Sequence, residues 1–449
     1  MSHANENYNN KKIIFYLEKL KNIKTLLVIV NIQNLIENKK NVRYDVRANS
    51  NSIHIKIFNL QQEIHKLDIP LPLHCRINQN TLHCQQDVNS TDSYSLEIKA
   101  TLLIDLSDPL QSSSATLLDD VIDDHHLTAL DNTDTLKQHL NTTDSGDNSV
   151  YCRQCLNRLL KDSVNKDKKY IIKLLPSSNW VEMMDVWLCG CTGVTSFNGF
   201  PTGDINALVD YYFIGDRFVL VHNDNVNTED LVIGSKSKEK VLVGPDYLNQ
   251  EWNIVQCKMC YSTVGLNQVQ ENLSYNYRLF KHAITTTLSP PQSFKNYSLS
   301  NVSNLYDLYT LETYISTQIL LASRSSITFK FSLTCLHSKQ VFAIISLIHW
   351  ETLFYSNYYS NDSSVNTNTD EFKPILKVLY HQIQDDKNDR DIVREWESNY
   401  QIKHLYLPPE DCKVVIDLLN SSNNIFPNHR KHLEQSKINF KIGILRLKI

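Results

Sequence analysis

The chain carries two matching motifs, Cys152-Arg-Gln-Cys155 and Cys257-Lys-Met-Cys260, each with two residues between its cysteines. This spacing lets one tight turn direct two thiolates at a single metal ion, while the backbone N–H groups of the turn support the sulfurs. Two such turns supply four sulfurs, which complete a tetrahedral coordination sphere and leave no position open for a substrate. We therefore predict a structural zinc site formed by Cys152, Cys155, Cys257 and Cys260.

A third pair, Cys189-Gly-Cys191, lies between the two motifs. Six cysteines cannot all bind one tetrahedral ion, so Cys189 and Cys191 are an alternative half of the site, part of a second site with a histidine, or thiols of the core. Free buried cysteine is the alternative interpretation of the two motifs as well. A redox role is less favoured, because neither motif follows a strand and opens a helix in a βαβ unit.

The middle of the chain, around these motifs, differs in composition from its ends. Eight of the ten glycines fall between Gly190 and Gly265, and 101 residues separate Cys155 from Cys257. A compact zinc ribbon needs far fewer residues, so we expect residues 151–288 to form an elaborated module that the metal clasps at its base. Metal binding then supplies folding free energy to a segment with little apolar core of its own.

Residues 1–104 are predicted to form a β-rich N-terminal domain. Ile53, Ile55 and Ile57 alternate with polar His54 and Lys56, which is typical of an antiparallel strand with one buried face. Similar short stretches span residues 13–17, 26–32, 62–67 and 93–103, and Asn, Asp and Pro separate them. The expected architecture is a small β-sandwich.

Residues 105–150 are predicted to form an acidic, flexible linker. From Asp105 to Asn148 the sequence contains ten Asp and a single Lys, and it has no Phe, Trp or Tyr. Such a segment cannot bury enough apolar surface to offset the entropy that it would lose on ordering. It is either a solvated connection or a docking strip for a basic partner.

Residues 289–449 form the last predicted part, a mixed α/β C-terminal domain. Apolar residues near helical spacing predict a helix over residues 304–323, and strand-like stretches come next at 327–333 and 341–350. The whole chain is therefore predicted to have an α+β fold that is mainly antiparallel β. It consists of a β-sandwich-like N-terminal part, a central zinc-clasped module and the mixed C-terminal part.

Composition and charge argue against two classes of partner. The formal net charge is −4, from 45 Lys and Arg against 49 Asp and Glu, whereas a dedicated nucleic-acid binder needs a surplus of positive charge. The apolar run at residues 26–30 is too short to span a bilayer, and residues 1–10 are too polar for a secretory signal. We expect a soluble intracellular protein that binds neither nucleic acid nor membrane directly.

A set of ordered motifs also resembles a known protein family. In chain order the motifs are Leu174-Leu-Pro-Ser-Ser-Asn-Trp180, Glu182-Met-Met-Asp-Val-Trp187-Leu-Cys189, Tyr212-Phe-Ile-Gly-Asp-Arg-Phe-Val-Leu220, the Cys257 motif followed by Gly265, Arg278-Leu-Phe-Lys281, Ser323-Arg-Ser-Ser-Ile-Thr-Phe329, Lys377-Val-Leu-Tyr380, Trp396-Glu397, Leu407-Pro408 and Leu447-Lys-Ile449. In this order and spacing they resemble the HECT-like ubiquitin-conjugating enzyme (E2)-binding family, also described as D-type ubiquitin ligases. The resemblance extends from about residue 150 to residue 449.

This resemblance implies work in the ubiquitin pathway. Members bind an E2 enzyme and look like ubiquitin-protein ligases, so an E2 and ubiquitin are the implied partners. The family is also linked to pre-mRNA 3′-end processing, where it binds the metallo-β-lactamase-type endonuclease subunit of the cleavage and polyadenylation factor, which implies a location in nucleus and cytoplasm. One position departs from the family pattern, because Gly190 follows Cys189 where a histidine is usual, and Cys191 is then the alternative ligand.

Cys412 is the candidate catalytic nucleophile of a thioester-forming ligase. Leu407-Pro-Pro-Glu-Asp-Cys412 lies 37 residues before the last residue and resembles the Leu-Pro…Thr-Cys segment that carries the nucleophile in HECT ligases. If the two prolines open a helix, Cys412 lies in its first turn, where the helix dipole lowers a thiol pKa. The two acidic residues before Cys412 oppose this effect, and the apolar run after it favours a buried structural thiol instead.

The sequence supports two functional hypotheses. The first is an E2-binding, ubiquitin-protein-ligase-like protein that acts with the cleavage and polyadenylation machinery. The alternative is a non-enzymatic, zinc-containing adaptor or chaperone that holds the endonuclease and inhibits it. The two differ in whether ubiquitin passes through a thioester on this chain.

Overall fold

The computed structural model describes residues 13–20, 23–33, 42–49, 52–59, 62–71, 76–87, 93–102, 150–163, 170–175, 206–215, 217–234, 241–243, 250–270, 273–285, 309–325, 327–336, 338–357, 373–384, 387–398, 402–435 and 438–447. These residues fall into two compact units. Unit 1 lies within Met1–Val121, Ile315–Cys335 and Gln340–Ile449, and unit 2 lies within Ile122–Tyr314 and Leu336–Lys339.

The described elements are mostly short strands. In chain order they are β1 (Ile13–Leu20), β2 (Thr25–Gln33), β3 (Val42–Ala48), β4 (Ser52–Asn59), β5 (Gln62–Pro70), β6 (His83–Asp87), β7 (Ser93–Thr101), β8 (Tyr151–Cys152), β9 (Ile171–Leu174), β10 (Tyr211–Ile214), β11 (Phe218–His222), β12 (Leu231–Ile233), β13 (Val241–Val243), β14 (Gln250–Cys257), β15 (Thr263–Gln270), β16 (Leu273–Phe280), β17 (Ile284–Thr285), α1 (Leu311–Ser325), β18 (Lys330–Cys335), β19 (Val341–Ser356), β20 (Lys373–Gln382), α2 (Lys387–Glu397), β21 (Ile402–Leu407), α3 (Pro409–Asn423), β22 (His432–Gln435) and β23 (Ile438–Arg446).

The largest sheet of unit 1 joins strands from both ends of the chain. Its order is β22-β23-β20-β19-β1-β2-β7-β6, and β18 pairs with both β19 and β21. Every pairing in it is antiparallel except that of β18 with β21. The predicted class, a mainly antiparallel β fold with few helices, is confirmed.

The sequence predicts separate domains for residues 1–104 and residues 289–449, whereas strands from both ranges share this sheet. Leu17 of β1 lies opposite Tyr355 of β19. Next to this pair, the Ser356 hydroxyl donates to the Phe15 carbonyl oxygen at 2.9 Å, although 341 positions separate the two residues. The alternation of a strand identifies its buried face but not its hydrogen-bonding partner, so the sequence carries no local signal for so distant a pairing.

The N-terminal strands show the burial that their alternation predicts. In β4, Ile53, Ile55 and Ile57 are buried, and they share one hydrophobic core with side chains of β1, β2 and β7. On the opposite face, His54 Nδ1 lies 2.6 Å from Asp68 Oδ1 of β5. Strands β3, β4 and β5 form a separate antiparallel sheet of three strands.

A side-chain cap marks the start of one helix, and a proline marks the start of another. The Thr313 N–H donates to Thr310 Oγ1 at 3.1 Å, which caps the start of α1. The predicted helix over 304–323 thus corresponds to α1, and residues 304–308 lie outside the described residues. Pro409 opens α3, where its missing N–H costs no hydrogen bond.

Unit 2 is built on a second sheet, in the order β12-β14-β15-β16-β11-β10-β9, with β13 also paired to β14. Its pairings are antiparallel except that of β9 with β10. A short ladder of β8 and β17 accompanies it, and its core includes Cys152 and Cys257. The ends of β8 and β14 therefore carry the first cysteine of each motif.

Two predictions fall on residues that the structure does not describe. The acidic linker, residues 105–150, lies outside the described residues except for Val150. Cys189 and Cys191 also lie outside them. Within the described parts of the chain, none of the helices has the length and apolar character needed to cross a membrane.

Candidate metal centre

Two tight turns with the same hydrogen bonding present the four predicted ligands. In the first knuckle, residues 152–157, the Leu156 N–H donates to the Cys152 carbonyl oxygen at 2.9 Å. In the second knuckle, residues 257–262, the Tyr261 N–H donates to the Cys257 carbonyl oxygen at 2.8 Å. The N–H of the first cysteine also donates to the carbonyl oxygen five positions later, at 2.8 Å in the first knuckle and 2.9 Å in the second.

The residue after the second cysteine of each knuckle has a left-handed backbone. Its φ is 60° at Leu156 and 59° at Tyr261. For a residue with a side chain, this conformation costs roughly 1–2 kcal/mol. Both knuckles carry this cost at the same position, which indicates that they share one constraint. In each, the turn must direct two sulfurs at a single point.

The four sulfur atoms meet in unit 2. Cys152 Sγ lies 3.6 Å from Cys260 Sγ, and Cys155 Sγ lies 3.5 Å from Cys257 Sγ. All four sulfurs lie within 4.8 Å of one another. Sulfurs at the corners of a tetrahedron around zinc, with Zn–S bonds of about 2.3 Å, are roughly 3.8 Å apart. The cluster can therefore hold a metal ion, and its size fits a four-thiolate zinc site.

The centre is buried on one side and open on the other. Cys152 and Cys257 are 0% exposed, because each ends a strand that packs into the hydrophobic core of unit 2. Cys260 is half-buried and Cys155 is exposed, since both lie in the turns beyond those strands. The two first cysteines thus anchor the centre to the fold, while the two second cysteines face outward.

Four neighbouring thiols cannot all ionise without a cation. Burial raises the pKa of Cys152. The pKa of Cys155 is also raised, by loss of water on the side that faces the cluster and by the neighbouring sulfurs of Cys257, Cys260 and Cys152, although the residue as a whole is exposed. At Cys260 burial also acts upward, but hydrogen bonds from Ser262 and contacts with neighbouring cysteines outweigh it and lower the pKa to about 7. Thiolates this close repel one another, and a divalent cation removes the repulsion by binding the deprotonated forms. A set of four soft sulfur ligands suits zinc.

Two polar side chains that sequence reasoning missed support the sulfurs. Asn157 Nδ2 lies 3.6 Å from Cys257 Sγ, so the amide of the first knuckle reaches the second. Ser262 Oγ lies 2.9 Å from Cys260 Sγ and 3.5 Å from Cys152 Sγ. Such contacts orient metal ligands and stabilise their charge. Both residues hold the sixth position of their knuckle, and this shared offset is the signal that could have identified them.

The tips of the two knuckles differ in what they contact. In the first, Arg153 is held by its own unit, because its Nη1 donates to the Tyr309 carbonyl oxygen at 2.8 Å and its Nε to the Ile284 carbonyl oxygen at 3.2 Å. In the second, the side chains of Met259 and Tyr261 are 70% and 64% exposed. Both tips reach solvent, but only the second presents large apolar side chains there, because Gln154 and Cys155 are the exposed residues of the first.

Cys412 of unit 1 lies in different surroundings. It is 0% exposed in the first turn of α3, with Sγ 3.7 Å from the Leu407 carbonyl oxygen and 3.9 Å from that of Thr334. Burial raises its pKa well above the ordinary value for a thiol, and Cys335 and the two preceding acidic residues add to the effect. A nucleophile needs an accessible thiolate, so this geometry favours the packing role, and the catalytic role stays a prediction.

Cys189 and Cys191 are not needed to complete the centre. The four sulfurs of the knuckles already make up a full tetrahedral set. A role for the third pair as ligands therefore also stays a prediction.

Comparison with known proteins places these features in a family. A family model described as HECT-like ubiquitin-conjugating enzyme (E2)-binding matches residues 18–438. An uncharacterized protein of Schizosaccharomyces pombe is 28% identical over 147 residues, which is 32% of this chain and 36% of that relative. The chain thus matches about a third of the relative's length. Because the family match extends over most of the chain and includes both knuckles, the protein belongs to the HECT-like E2-binding family.

Proposed function

We propose that this protein binds an E2 enzyme through the second knuckle and promotes the transfer of ubiquitin. Membership of an E2-binding family supports the choice of partner. The observation that carries the proposed surface is the exposure of Met259 and Tyr261, which project from a turn adjoining the four-sulfur centre. A metal bound by the four sulfurs would hold this turn, so that the two side chains are in place before the partner arrives.

The chemistry of this knuckle tip suits recognition of another protein. Methionine and tyrosine are enriched at protein interfaces, where they bury large apolar areas. A rigid turn lowers the entropy lost on association, which favours binding. Lys258 Nζ donates to the Glu229 carbonyl oxygen at 3.0 Å and holds a positive charge beside the apolar pair. The complementary E2 surface is then apolar with an acidic group at its edge.

Replacing both apolar side chains tests this surface. The double variant Met259→Ala/Tyr261→Ala should lose at least about tenfold in affinity for ubiquitin-charged E2 enzymes, measured by calorimetry against a panel of them. The matched control is Leu433→Ala, which removes a side chain of unit 1 that is also exposed, at 47%. The control should bind like the unmodified chain, and both variants should retain their metal. Unchanged affinity in the double variant would contradict the proposed surface.

We assign zinc to the four-sulfur centre as a structural cofactor. The complete sulfur set, the burial of two ligands and the side-chain contacts to the sulfurs support a closed site over a catalytic one. Elemental analysis of the purified chain should find about one zinc per molecule. Iron in its place, or no bound metal in a folded chain, would contradict the assignment.

The route of ubiquitin is tested separately. Incubation with charged E2 should give a reductant-sensitive ubiquitin adduct on this chain if Cys412 forms a thioester. The adduct should disappear in Cys412→Ala and persist in Cys335→Ala, which replaces the other buried cysteine in this part of unit 1. Faster discharge of the E2 without any adduct would instead assign to the chain an activating role that does not use Cys412.

The second candidate function is a non-enzymatic adaptor or chaperone, which the burial of the Cys412 thiol favours. In this role the chain holds the metallo-β-lactamase-type endonuclease subunit of the cleavage and polyadenylation factor, inhibits it, and resides in nucleus and cytoplasm. This partner comes from the family resemblance. Co-elution with the purified endonuclease and inhibition of RNA cleavage, without discharge of E2, would select this function. Discharge of E2 without binding of the nuclease would select the first.

A further inference from the structure

The four ligands of the metal centre differ in accessibility. Cys152 and Cys257 are completely buried, and Cys260 is half-buried. Cys155 is the exposed member of the set. A reagent that attacks metal-bound sulfur must reach the sulfur through solvent, so Cys155 is the ligand that a small molecule meets first.

The ligands also differ in the side chains that support them. Cys260 and Cys152 have the Ser262 hydroxyl at 2.9 Å and 3.5 Å, and Cys257 has the Asn157 amide at 3.6 Å. Among the described residues, Cys155 has the backbone N–H of Asn157 and the neighbouring sulfurs, but no hydroxyl or amide side chain. Hydrogen bonds to a thiolate withdraw charge from it and lower its nucleophilicity, and side-chain donors of this kind lie against the other three sulfurs.

When Cys155 is oxidised, the nearest sulfur of the opposite knuckle determines which disulfide forms. Cys257 Sγ lies 3.5 Å away, in the second knuckle. A disulfide requires a sulfur–sulfur distance of about 2.05 Å, so the two sulfurs must approach by about 1.5 Å. A bond between these two sulfurs would link the knuckles covalently while it removes half of the ligands from the metal.

We propose that Cys155 is the site at which hydrogen peroxide oxidises the zinc-loaded centre, and that Cys257 resolves the product as a disulfide. The Cys155 thiolate attacks a peroxide oxygen, the O–O bond breaks, hydroxide leaves, and a sulfenic acid forms. The Cys257 thiolate then attacks that sulfur, the S–O bond breaks, and a second hydroxide leaves. Two electrons pass from the two thiolates to the peroxide, and Cys152 and Cys260 would remain as the only two sulfur ligands, too few to retain a structural zinc.

This proposal depends on the zinc assignment and not on E2 binding. Zinc content measured before oxidation therefore separates its failure from that of the proposed function. If zinc release accompanies oxidation, a chemical signal would loosen the tip that carries Met259 and Tyr261, because that tip belongs to the second knuckle.

The experiment treats the full zinc-loaded chain with hydrogen peroxide. A chromogenic chelator monitors zinc release, and peptide mass spectrometry after thiol capping monitors the cysteines. The expected result is that the Cys155–Cys257 disulfide and free zinc appear together, before any change at Cys152 or Cys260. A first product at Cys152–Cys260, or zinc release without this disulfide, would overturn the proposal.

A pair of matched variants sharpens the test. Cys155→His keeps a fourth ligand of a kind that zinc accepts but cannot form a sulfenic acid, so zinc release by peroxide should slow by about tenfold or more. Cys335→Ala removes a buried thiol of unit 1 that is not a ligand of the centre and should release zinc as fast as the unmodified chain. Equal rates in Cys155→His and the unmodified chain would overturn the proposal. If the histidine variant fails to load zinc, the order of products in the unmodified chain still decides the question.

Discussion

The two predicted cysteine sites of this molecule carry the same chemical group in opposite surroundings. In the four-sulfur centre of unit 2, side chains that can donate hydrogen bonds, Asn157 and Ser262, lie against the sulfurs. At Cys412 of unit 1, the near polar neighbours are the carbonyl oxygens of Leu407 and Thr334, which can only accept. Donors stabilise a thiolate and acceptors stabilise a neutral thiol. The same residue type is therefore prepared for metal binding in one unit and for packing in the other.

The contrast extends to what holds each unit together. Unit 1 joins strands from both ends of the chain around hydrophobic clusters that contain no metal ligand among the described residues. Unit 2 places two of its ligands, Cys152 and Cys257, inside its main hydrophobic cluster. Without the metal, the thiols in that core must take up protons or repel one another as thiolates, so metal binding and folding are coupled in unit 2.

The largest expected effect is therefore that of Cys257→Ser. It removes one sulfur ligand from the core, and structural zinc sites contribute roughly 10–16 kcal/mol of apparent binding free energy. We expect the variant to lose at least about 5 kcal/mol of this and to unfold in unit 2. Zinc content and hydrogen exchange of β14 and β15 measure the effect.

Cys412→Ala is the matched control in unit 1. It removes one buried sulfur but no metal ligand, so the free energy of unfolding should fall by about 1–2 kcal/mol, and zinc should be retained. If the two variants destabilise the chain equally, metal binding contributes little to unit 2, and the contrast between the units is lost.

Alanine substitutions at two glycines test the packing of the two sheets without changing a cysteine. A Cβ on Gly265 of β15 would overlap the Arg278 carbonyl oxygen of the paired strand, whereas a Cβ on Gly443 of β23 would lie 2.8 Å from a terminal methyl of Leu419 and 3.2 Å from the Tyr380 ring, and so would meet side chains and not backbone. We expect Gly265→Ala to cost about 3 kcal/mol or more and Gly443→Ala about 1 kcal/mol. Urea unfolding measures both values. A larger cost at Gly443 would mean that α3 packs more rigidly on its sheet than the paired backbones of β15 and β16.

Much of the strand content of both units could be predicted, because the signal is local. The alternation in β4 predicts its buried isoleucines. Strand β3 was not predicted, although Arg43 and Asp45 alternate there with apolar residues. By contrast, β6 is mostly polar and carries no such signal. The pairing of β1 with β19 could not be predicted, because it depends on which two distant edges meet during folding.

The candidate sites divide in the same way. The spacing of two residues within each motif predicts the four ligands, since both sulfurs of a pair are directed by a single turn. The roles of Asn157 and Ser262 depend on the approach of the two knuckles, which lie far apart in the sequence. For Cys412, the helix start was readable from its prolines, but its burial under β18 and β21 results from tertiary packing.

A smaller effect is expected from the groups that support the sulfurs. Ser262→Ala removes the hydroxyl beside Cys260 and Cys152, and loss of such a contact typically lowers metal affinity by about 10–100-fold. Competition with a chelator of known affinity measures the change. Thr263→Ala, at the neighbouring position, is the control and should leave the affinity unchanged. Equal affinities in Ser262→Ala and the unmodified chain would show that the hydroxyl does not support the sulfurs.

The last expected effect, absent at neutral pH, is a change in how stability depends on pH. The pKa of Cys412 is raised in the folded chain from the ordinary value of 9.0, chiefly by burial. Below pH 9 the thiol is protonated in both the folded and the unfolded chain and adds no dependence. Above pH 9 the unfolded chain releases the proton while the folded chain retains it, so the free energy of unfolding falls by about 1.4 kcal/mol per pH unit.

Cys412→Val isolates this contribution, because valine fills a similar volume and cannot ionise. The buried tyrosines of unit 1, Tyr16 and Tyr380, also have raised pKa values, but they are present in both proteins and cancel in the difference. Urea unfolding between about pH 8 and pH 10.5 should show parallel stabilities below pH 9 and a steeper decline for the unmodified chain above it. Parallel curves throughout would mean that the Cys412 thiol ionises as freely in the folded chain as in the unfolded one. That result would mean that Cys412 is accessible as a thiolate. The proposed difference between a packing thiol in unit 1 and metal-binding thiols in unit 2 would then be wrong.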